Sequence, residues 1–337
     1  MHWLALDIGG ANLKAADGHD FAESYAFALW HAPQKLAQEL RTIIAEAPES
    51  THLAVTMTGE LADCFDTKAE GVQHILKAVL AAADGRHTRV YLTDGMLVTP
   101  QVAVQRPQLA AAANWHALAR FCGRYAYEGS ALLIDIGSTT TDIIPLIDGQ
   151  PVAVGKTDTE RLLSGELVYT GVERTPACAL VQAAEYRGQQ CPLAAELFAT
   201  TRDAWMILGA LPEDANDKHT ADNRPATKQY ARVRLGRMVC ADAESFNHRD
   251  AVVIAEAIVG AQAQQLKTAI AGVVKRLPAQ PTKVILSGHG EFLARRVLEE
   301  LQITAPITSL ARELKPTISR CAPAHALAVL AREAAGA

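Results

Sequence analysis

Aromatic side chains are scarce in this chain, where Phe, Trp and Tyr make up 5% of the 337 residues. A surface that stacks nucleic-acid bases needs exposed aromatic rings, and a surface that binds phosphate backbones needs an excess of positive charge. The chain instead has a net charge of −5, with its 32 basic residues scattered along the sequence. A nucleic-acid partner is therefore not expected.

Cysteine pairs with metal-ligand spacing are also missing. The six cysteines include no C-x-x-C pair, which indicates free thiols of a reducing compartment rather than a zinc site. No apolar run reaches about 18 residues, as a membrane span requires. Asp7 interrupts the first apolar stretch after a few residues, which argues against a signal peptide. These absences predict a cytoplasmic protein with no membrane partner.

Two short stretches dominate what is present. LALDIGGANLKAA begins at Leu4, and LLIDIGSTTTDII begins at Leu132, 128 residues later. In each, an apolar strand ends in Asp-Ile-Gly and passes through small residues into a second apolar run, which predicts a β-hairpin. A repeat of this period indicates a duplicated domain rather than a solenoid.

Strands alternate with helices after each hairpin, which predicts an α/β fold with mixed sheets flanked by helices. We expect two domains, residues 1–128 and residues 129–337, each with one hairpin. Residues 156–247 are less regular and are predicted to be an insertion that shapes a substrate site. Residues 284–292 are predicted to be a glycine-rich strand–helix turn.

Local periodicity gives further secondary-structure predictions. Apolar spacing favours one alanine-rich helix over residues 108–121. A tight turn at Asp148-Gly149 is expected to lead into a third strand at residues 152–154. Another short strand is expected at residues 303–307.

The composition of the hairpin turns is typical of a phosphate site. Small residues let backbone amides converge on phosphate oxygens. A carboxylate at a strand end repels phosphate, so Asp7 and Asp135 are predicted to hold the water shell of a Mg²⁺ ion that lies between them and the phosphate. Lys14 is predicted to neutralise phosphate charge. The predicted phosphate-binding residues are Gly9, Gly10, Ala11 and Asn12 of the first hairpin, and Gly137, Ser138, Thr139 and Thr140 of the second.

A third element is LSGHGE at residues 286–291, where a strand runs into a glycine turn and a helix N-terminus. That arrangement suits an anion or a nucleoside. Ser287, Gly288 and Gly290 are therefore added to the predicted phosphate or nucleotide site.

Together the two hairpins and the late glycine turn resemble the acetate kinase/sugar kinase/Hsp70/actin superfamily. Within it the chain is most similar to the hydantoinase/oxoprolinase branch, and there to short proteins of tetrahydromethanopterin-linked one-carbon metabolism and methanofuran biosynthesis. The resemblance implies two actin-like, ribonuclease H-like domains that face a central cleft. The matching stretches are DIGGANLKAA (7–16), TMTGEL (56–61), YLTDG (91–95), AANW (112–115), DIGSTTTDIIPL (135–146) and DTERLLSGELVYTGVERTP (158–176).

The resemblance implies a transferase reaction. A tyramine or tyrosine phenol displaces diphosphate from an aminomethylfuran methyl diphosphate and forms an aryl ether. Hairpin amides, Mg²⁺ and a lysine would stabilise the leaving diphosphate. ATP is compatible with such a site but is not required by this reaction.

Phenol attack also needs a base, and residues at the rim of the cleft would have to contact the substrate. For each candidate below, the competing interpretation is that the residue lies in an ordinary surface loop. Glu166 is the candidate base. Glu60 and Asp94 each end a strand of the first half and are candidates to face the cleft. The candidate rim residues are Lys156, Asp158, Arg161, Tyr169 and Arg174.

Two other functions remain open from the sequence. One is an ATP-dependent hydrolase or kinase of the hydantoinase/oxoprolinase type, which the appearance of ADP would reveal. The other is a non-enzymatic nucleotide-binding module, which would bind nucleotide without turnover. In each case the expected partner is a small phosphorylated molecule, and a homodimer is compatible with the sequence.

Overall fold

The computed structural model describes residues 2–336 and contains two large sheets, each beginning with a hairpin, and one two-stranded sheet. In the first sheet the order is β3-β2-β1-β4-β5-β6. Strand β1 is antiparallel to β2 and parallel to β4. Its strands are β1 (Trp3–Ile8), β2 (Asn12–Ala16), β3 (Ala22–Ala26), β4 (His52–Met57), β5 (His87–Tyr91) and β6 (Leu97–Val98).

The helices of the first half pack on this sheet and close its apolar core. In α1 the residues Leu36, Leu40, Ile43 and Ile44 are buried, which is the spacing of one helix face. The helical elements are a 3₁₀ turn (Pro33–Lys35), α1 (Leu36–Glu46), α2 (Lys68–Ala82), α3 (Pro100–Gln105), α4 (Pro107–Ala110), α5 (Asn114–Cys122) and a second 3₁₀ turn (Gly123–Tyr125).

The second half repeats the same plan. Strand β7 is antiparallel to β8 and parallel to β13, in the order β10-β8-β7-β13-β14, with β9 on β8. Strands β11 and β12 form a separate hairpin. The strands are β7 (Ser130–Ile136), β8 (Thr141–Ile147), β9 (Gln150–Pro151), β10 (Leu167–Val168), β11 (Ala183–Tyr186), β12 (Gln189–Pro192), β13 (Lys283–Ser287) and β14 (Ile307–Ser309).

The long helix α10 supports the second sheet. A capping box at its start joins Asn247 and Asp250 through reciprocal side-chain to backbone hydrogen bonds. None of the helices within residues 2–336 combines the length and apolar character that a membrane crossing requires. The helices of this half are α6 (Asp158–Ser164), α7 (Ala177–Leu180), α8 (Thr201–Ile207), α9 (Lys228–Arg237), α10 (His248–Val274), α11 (Glu291–Glu300), α12 (Leu310–Leu314), α13 (Pro316–Arg320) and α14 (Ala322–Gly336).

Helices α5 and α14 lie between the two sheets. Leu327 and Ala328 of α14 pack with Trp3 and Ala54 of the first sheet. The same two helices share a second apolar cluster with β7, β8 and β13. The closing helix α14 therefore packs on the first sheet, although the sequence analysis assigned it to the second domain, residues 129–337. The domain boundary between residues 128 and 129 stays a prediction.

The predicted α/β fold with mixed sheets and flanking helices is confirmed, whereas three local predictions are wrong. The helix expected over residues 108–121 is broken at Ala112, whose φ of 46° lies in the left-handed region. The strand expected at 152–154 ends at Pro151, because only Gln150 and Pro151 pair with β8. The last strand is Ile307–Ser309 rather than 303–307.

The predicted insertion at residues 156–247 contains more regular structure than its sequence indicates. Four short helices and a two-stranded sheet lie within it. The buried guanidinium of Arg234 joins Asp203 of α8 at 2.6 Å and Asp222 at 3.0 Å. This network holds α8 and α9 together.

Candidate active site

Both hairpins face one cleft with a volume of about 780 Å³. Asp7 of β1 and Asp135 of β7 both line it. The two turns are built alike, because Gly9 N donates to Asn12 O and Gly137 N donates to Thr140 O, each at 3.0 Å. The prediction that the two halves face a shared central cleft is confirmed.

The backbone of the first hairpin turn presents free donors to this cleft. Gly10 O accepts from Leu29 N at 2.8 Å, and Ala11 O accepts from Phe27 N at 3.0 Å. The N–H groups of Gly10 and Ala11 have no acceptor among residues 2–336. A turn whose carbonyls are occupied and whose amides are free suits an anion.

The second hairpin turn is braced in the same way. Gly137 O accepts from Val172 N at 3.0 Å, and Ser138 O accepts from Arg174 N at 2.9 Å. This approach needs glycine at 171, where a Cβ would lie 2.5 Å from Ser138 O. All eight predicted hairpin residues line the cleft: Gly9, Gly10, Ala11, Asn12, Gly137, Ser138, Thr139 and Thr140.

The predicted glycine-rich turn lies directly over the end of β7. Gly288 has a φ of 80°, and a Cβ there would lie 2.3 Å from Ile136 O and 2.8 Å from Asp135 Oδ1. Gly290 N donates to Ile136 O at 3.0 Å. Ser287 is buried in β13 beside Asp135. Gly288 lines a small pocket that adjoins the cleft, whereas Ser287 and Gly290 line neither space.

The two strand-end carboxylates differ in their surroundings. Asp7 is 4% exposed, and its Oδ1 has no hydrogen-bond partner among residues 2–336. Burial raises the pKa of Asp7, against the charge of Lys14. Burial, helped by the charge of Asp142, raises the pKa of Asp135 to about 6. Both carboxylates are thus short of positive charge.

The cleft as a whole carries an excess of acid. Six carboxylates and four basic side chains line it. Two of the basic groups are already engaged, because Arg161 binds Asp142 at 2.6 Å and Lys68 lies 3.7 Å from Asp158. The carboxylates are Asp7, Glu60, Asp63, Asp135, Asp142 and Asp158, and the cations are Lys14, Lys68, Arg161 and Arg174.

Asp7 and Asp135 are the residues that could hold a cation. Within residues 2–336 no three His, Cys, Asp or Glu side chains cluster as a ligand set. Mg²⁺ keeps several waters and binds through one or two carboxylates. The unpartnered Asp7 Oδ1 on one wall and the cleft-lining Asp135 carboxylate on the other fit this mode better than a cage of protein ligands.

Glu166 does not reach the cleft, so the structure does not support its predicted role as a base. Its side chain is fully buried, with Oε1 accepting from Val154 N at 2.8 Å and Oε2 from Gly155 N at 3.0 Å. Arg276 adds an ion pair at 3.3 Å. The carboxylate therefore fixes the backbone after β9.

The five predicted rim residues divide into two groups. Asp158, Arg161, Tyr169 and Arg174 line the cleft, whereas Lys156 is exposed and does not. Arg161 is buried, with its guanidinium 4.1 Å from the Trp115 ring centre. Its contact with Asp142 makes it a support for the second hairpin rather than a free phosphate ligand.

Sequence reasoning missed several cleft residues on the first half. Trp30, Lys68 and Asn114 line the cleft, as does Glu60, whereas Asp94 does not. Contacts between the halves at the cleft include Lys68 with Asp158, and the Arg174 guanidinium 5.4 Å from the Trp30 ring centre. Asn114 lies in the quoted AANW stretch, but no periodicity marks Trp30 or Lys68.

The fold and cleft define an actin-like protein, in which two similar hairpins each bring a turn and an acidic strand end to a common cleft. The chain belongs to the hydantoinase/oxoprolinase family, whose model matches residues 52–334. One chain of a solved PilM–PilN type IV pilus biogenesis complex shares the fold, with a TM-score of 0.50 at 14% identity over 98% of each chain.

Two curated relatives carry the same name, "(4-{4-[2-(gamma-L-glutamylamino)ethyl]phenoxymethyl}furan-2-yl)methanamine synthase". The protein from Methanocaldococcus jannaschii is 32% identical over 334 residues, covering 97% of this chain and 96% of its own. The protein from Methanococcus vannielii is 28% identical over 210 residues, covering 60% of this chain and 91% of its own. This chain is therefore similar along nearly its whole length to an enzyme of that name.

Proposed function

We propose that this protein is a transferase that makes the aryl ether of a methanofuran-type one-carbon cofactor. A tyramine or tyrosine phenol would attack the methylene carbon of an aminomethylfuran methyl diphosphate, and diphosphate would leave. The single observation that carries the proposal is the 32% identity to the Methanocaldococcus jannaschii synthase across 97% of the chain. That synthase is named for a product containing a phenoxymethyl-furan ether.

The cleft supports a diphosphate as the group that is bound. Free amides of Gly10 and Ala11 face the same space as the second hairpin turn, and Lys14 adds a positive charge. Donors held in place before the reaction stabilise charge that develops on the leaving oxygen. A space of about 780 Å³ is within the range of small-molecule sites.

We further propose that Mg²⁺ accompanies the diphosphate, held through its waters by Asp7 and Asp135. When bound, Mg²⁺ would supply Lewis-acid stabilisation of the diphosphate charge. The excess of carboxylates in the cleft supports a cation, because a polyanion would otherwise meet net negative walls. The chain's own part is to bind the diphosphate through the hairpins and to aim the furan methylene at the acceptor.

The direct test is an assay with purified protein, Mg²⁺, the furan diphosphate and γ-glutamyltyramine or a tyrosine analogue. We expect ether and diphosphate in equal amounts, without ATP. A folded enzyme that forms no ether would refute the proposal. Parallel reactions with ATP and a small amide or lactam would yield ADP if the protein were instead a hydrolase or kinase.

A further inference from the structure

Glu60 is a buried carboxylate of the cleft that no role yet explains. It follows β4, which runs parallel to β1, so Glu60 and Asp7 leave neighbouring strands at the same edge of the sheet. Its side chain is 1% exposed and lines the cleft, and its Oε2 has no hydrogen-bond partner among residues 2–336. A buried, unsatisfied carboxylate oxygen is costly to maintain.

The main chain at Glu60 is held rigidly by α2. A Cβ at Gly71 of this helix would lie 2.0 Å from Glu60 O, so only glycine allows the helix to pack so closely. Gly59 lies equally close to the first hairpin, since a Cβ there would lie 3.0 Å from the carbonyl carbon of Gly9. The main chain that carries this carboxylate is therefore fixed relative to the hairpin turn, which limits the positions that the reacting group can take.

A cation that acts on the Glu60 carboxylate, Lys68, is shared with a second acid. Lys68 lies 3.7 Å from Asp158 of the second half and is shared with it. Burial raises the pKa of Glu60 to about 7, with Asp158 and Asp7 raising it further and Lys68 opposing them. A carboxylate of this kind holds a proton more firmly than an exposed one does.

Apolar and aromatic side chains line the same cleft as Glu60. Leu61 and Tyr169 are exposed at 58% and 67%, although both line the cleft. Exposed apolar groups at the mouth of a polar cleft suit the ring of an aromatic substrate. The side chains with this character are Trp30, Leu61, Leu162 and Tyr169.

We propose that Glu60 is the catalytic base that accepts the phenolic proton of the acceptor, an inference that rests on the proposed function above. The phenol O–H bond breaks and its proton passes to Glu60 Oε2. The phenol oxygen forms a bond to the furan methylene carbon as the carbon–oxygen bond to diphosphate breaks. The diphosphate leaves with that electron pair, so no oxidant or reductant is needed.

The test compares Glu60→Gln with Asp66→Asn, which removes an exposed carboxylate of the same loop that lies outside the cleft. We expect Glu60→Gln to lower kcat by about 10²–10⁴-fold, the usual contribution of a general base, with the KM for each substrate little changed. Acceptors with fluorinated, more acidic phenols should recover much of the lost rate. Asp66→Asn should behave as wild type.

Each outcome separates the two proposals. If wild type and Asp66→Asn form no ether, the proposed function fails. If they form ether and Glu60→Gln keeps the wild-type kcat, the assignment of Glu60 fails alone. A raised KM for the amine-bearing furan at unchanged kcat would place Glu60 on the ammonium group and would also overturn the assignment. If Glu60→Gln folds poorly, the dependence of the wild-type rate on phenol acidity tests the proposal instead. A weak dependence is expected when a base removes the phenolic proton. A strong dependence is expected only without a base and would overturn the assignment.

Discussion

Lys14 and Asp142 occupy the same position in the two hairpins and carry opposite charges. Lys14 pairs across its hairpin with Asp7, and Asp142 pairs across the other hairpin with Asp135. Arg161 takes up the charge of Asp142 at 2.6 Å. The two hairpins therefore share the backbone of the anion site, but one wall of the cleft carries a lysine where the other carries an additional acid.

This asymmetry predicts opposite effects of two substitutions on diphosphate binding. Lys14→Met should weaken binding on the order of tenfold, because an attractive charge is lost from a partly buried site. Asp142→Asn should strengthen binding in the absence of Mg²⁺, because a repulsive charge is lost and Arg161 is released. Calorimetric titration with inorganic diphosphate measures both constants, and a shift in the same direction for both would contradict this account.

Asp7 is expected to limit the stability of the metal-free protein. Its pKa is raised by burial, so the ionised form is disfavoured in the folded state. Asp7→Asn should therefore raise the free energy of unfolding at pH 7 by about 1–3 kcal/mol in chelator. Urea unfolding of this variant beside Asp66→Asn provides the check. A less stable Asp7→Asn protein would contradict this prediction, because it would mean that the folded protein stabilises the ionised Asp7 carboxylate.

Gly288 should be intolerant of any side chain. Gly288→Ala adds steric overlap with Ile136 O to the strain of a left-handed backbone, whereas Gly188 has the same φ of 80° with nothing within 4 Å of a Cβ. Gly188→Ala should cost about 1–2 kcal/mol of stability, the strain alone. Gly288→Ala should cost more by a further ~1–3 kcal/mol. Equal melting temperatures for the two variants would disprove the close approach.

His325 should make stability fall in acid. Burial between the sheets lowers its pKa to about 4, below its value of 6.5 in an unfolded chain. Its contribution is therefore fully present above pH 6.5 and is lost as the pH falls towards 4, a change on the order of 3 kcal/mol. Denaturant unfolding of wild type and His325→Gln across this range should give converging stabilities. Parallel pH profiles would rule out the effect.

The paired hairpins could be predicted from sequence because their structure is local. Asp-Ile-Gly followed by small residues forces a turn at the strand end, and the second copy at Leu132 makes chance an inadequate explanation. Both turns adopt the same hydrogen bond in the structure, from Gly9 N to Asn12 O and from Gly137 N to Thr140 O. The strand register and the turn residues alone were sufficient to predict both hairpins.

The predictions that failed depend on contacts between distant residues. Alanine is the best helix former, so helix propensity does not predict the break at Ala112. Asn114, just after this break, lines the cleft. Glu166 looked available for chemistry, but its oxygens are used by the amides of Val154 and Gly155. Glu60 offered no stronger pattern than Glu166, because burial is a property of the assembled fold.

The most direct test of the account is the binding of inorganic diphosphate to wild type, Asp7→Asn and Asp135→Asn, with and without Mg²⁺. We predict one diphosphate per wild-type chain, bound tightly only with Mg²⁺, and loss of this Mg²⁺ dependence in each variant while the fold is kept. Wild-type Mg²⁺ dependence that survived in either variant would contradict the claim that both halves of the protein hold a single anion through one metal ion.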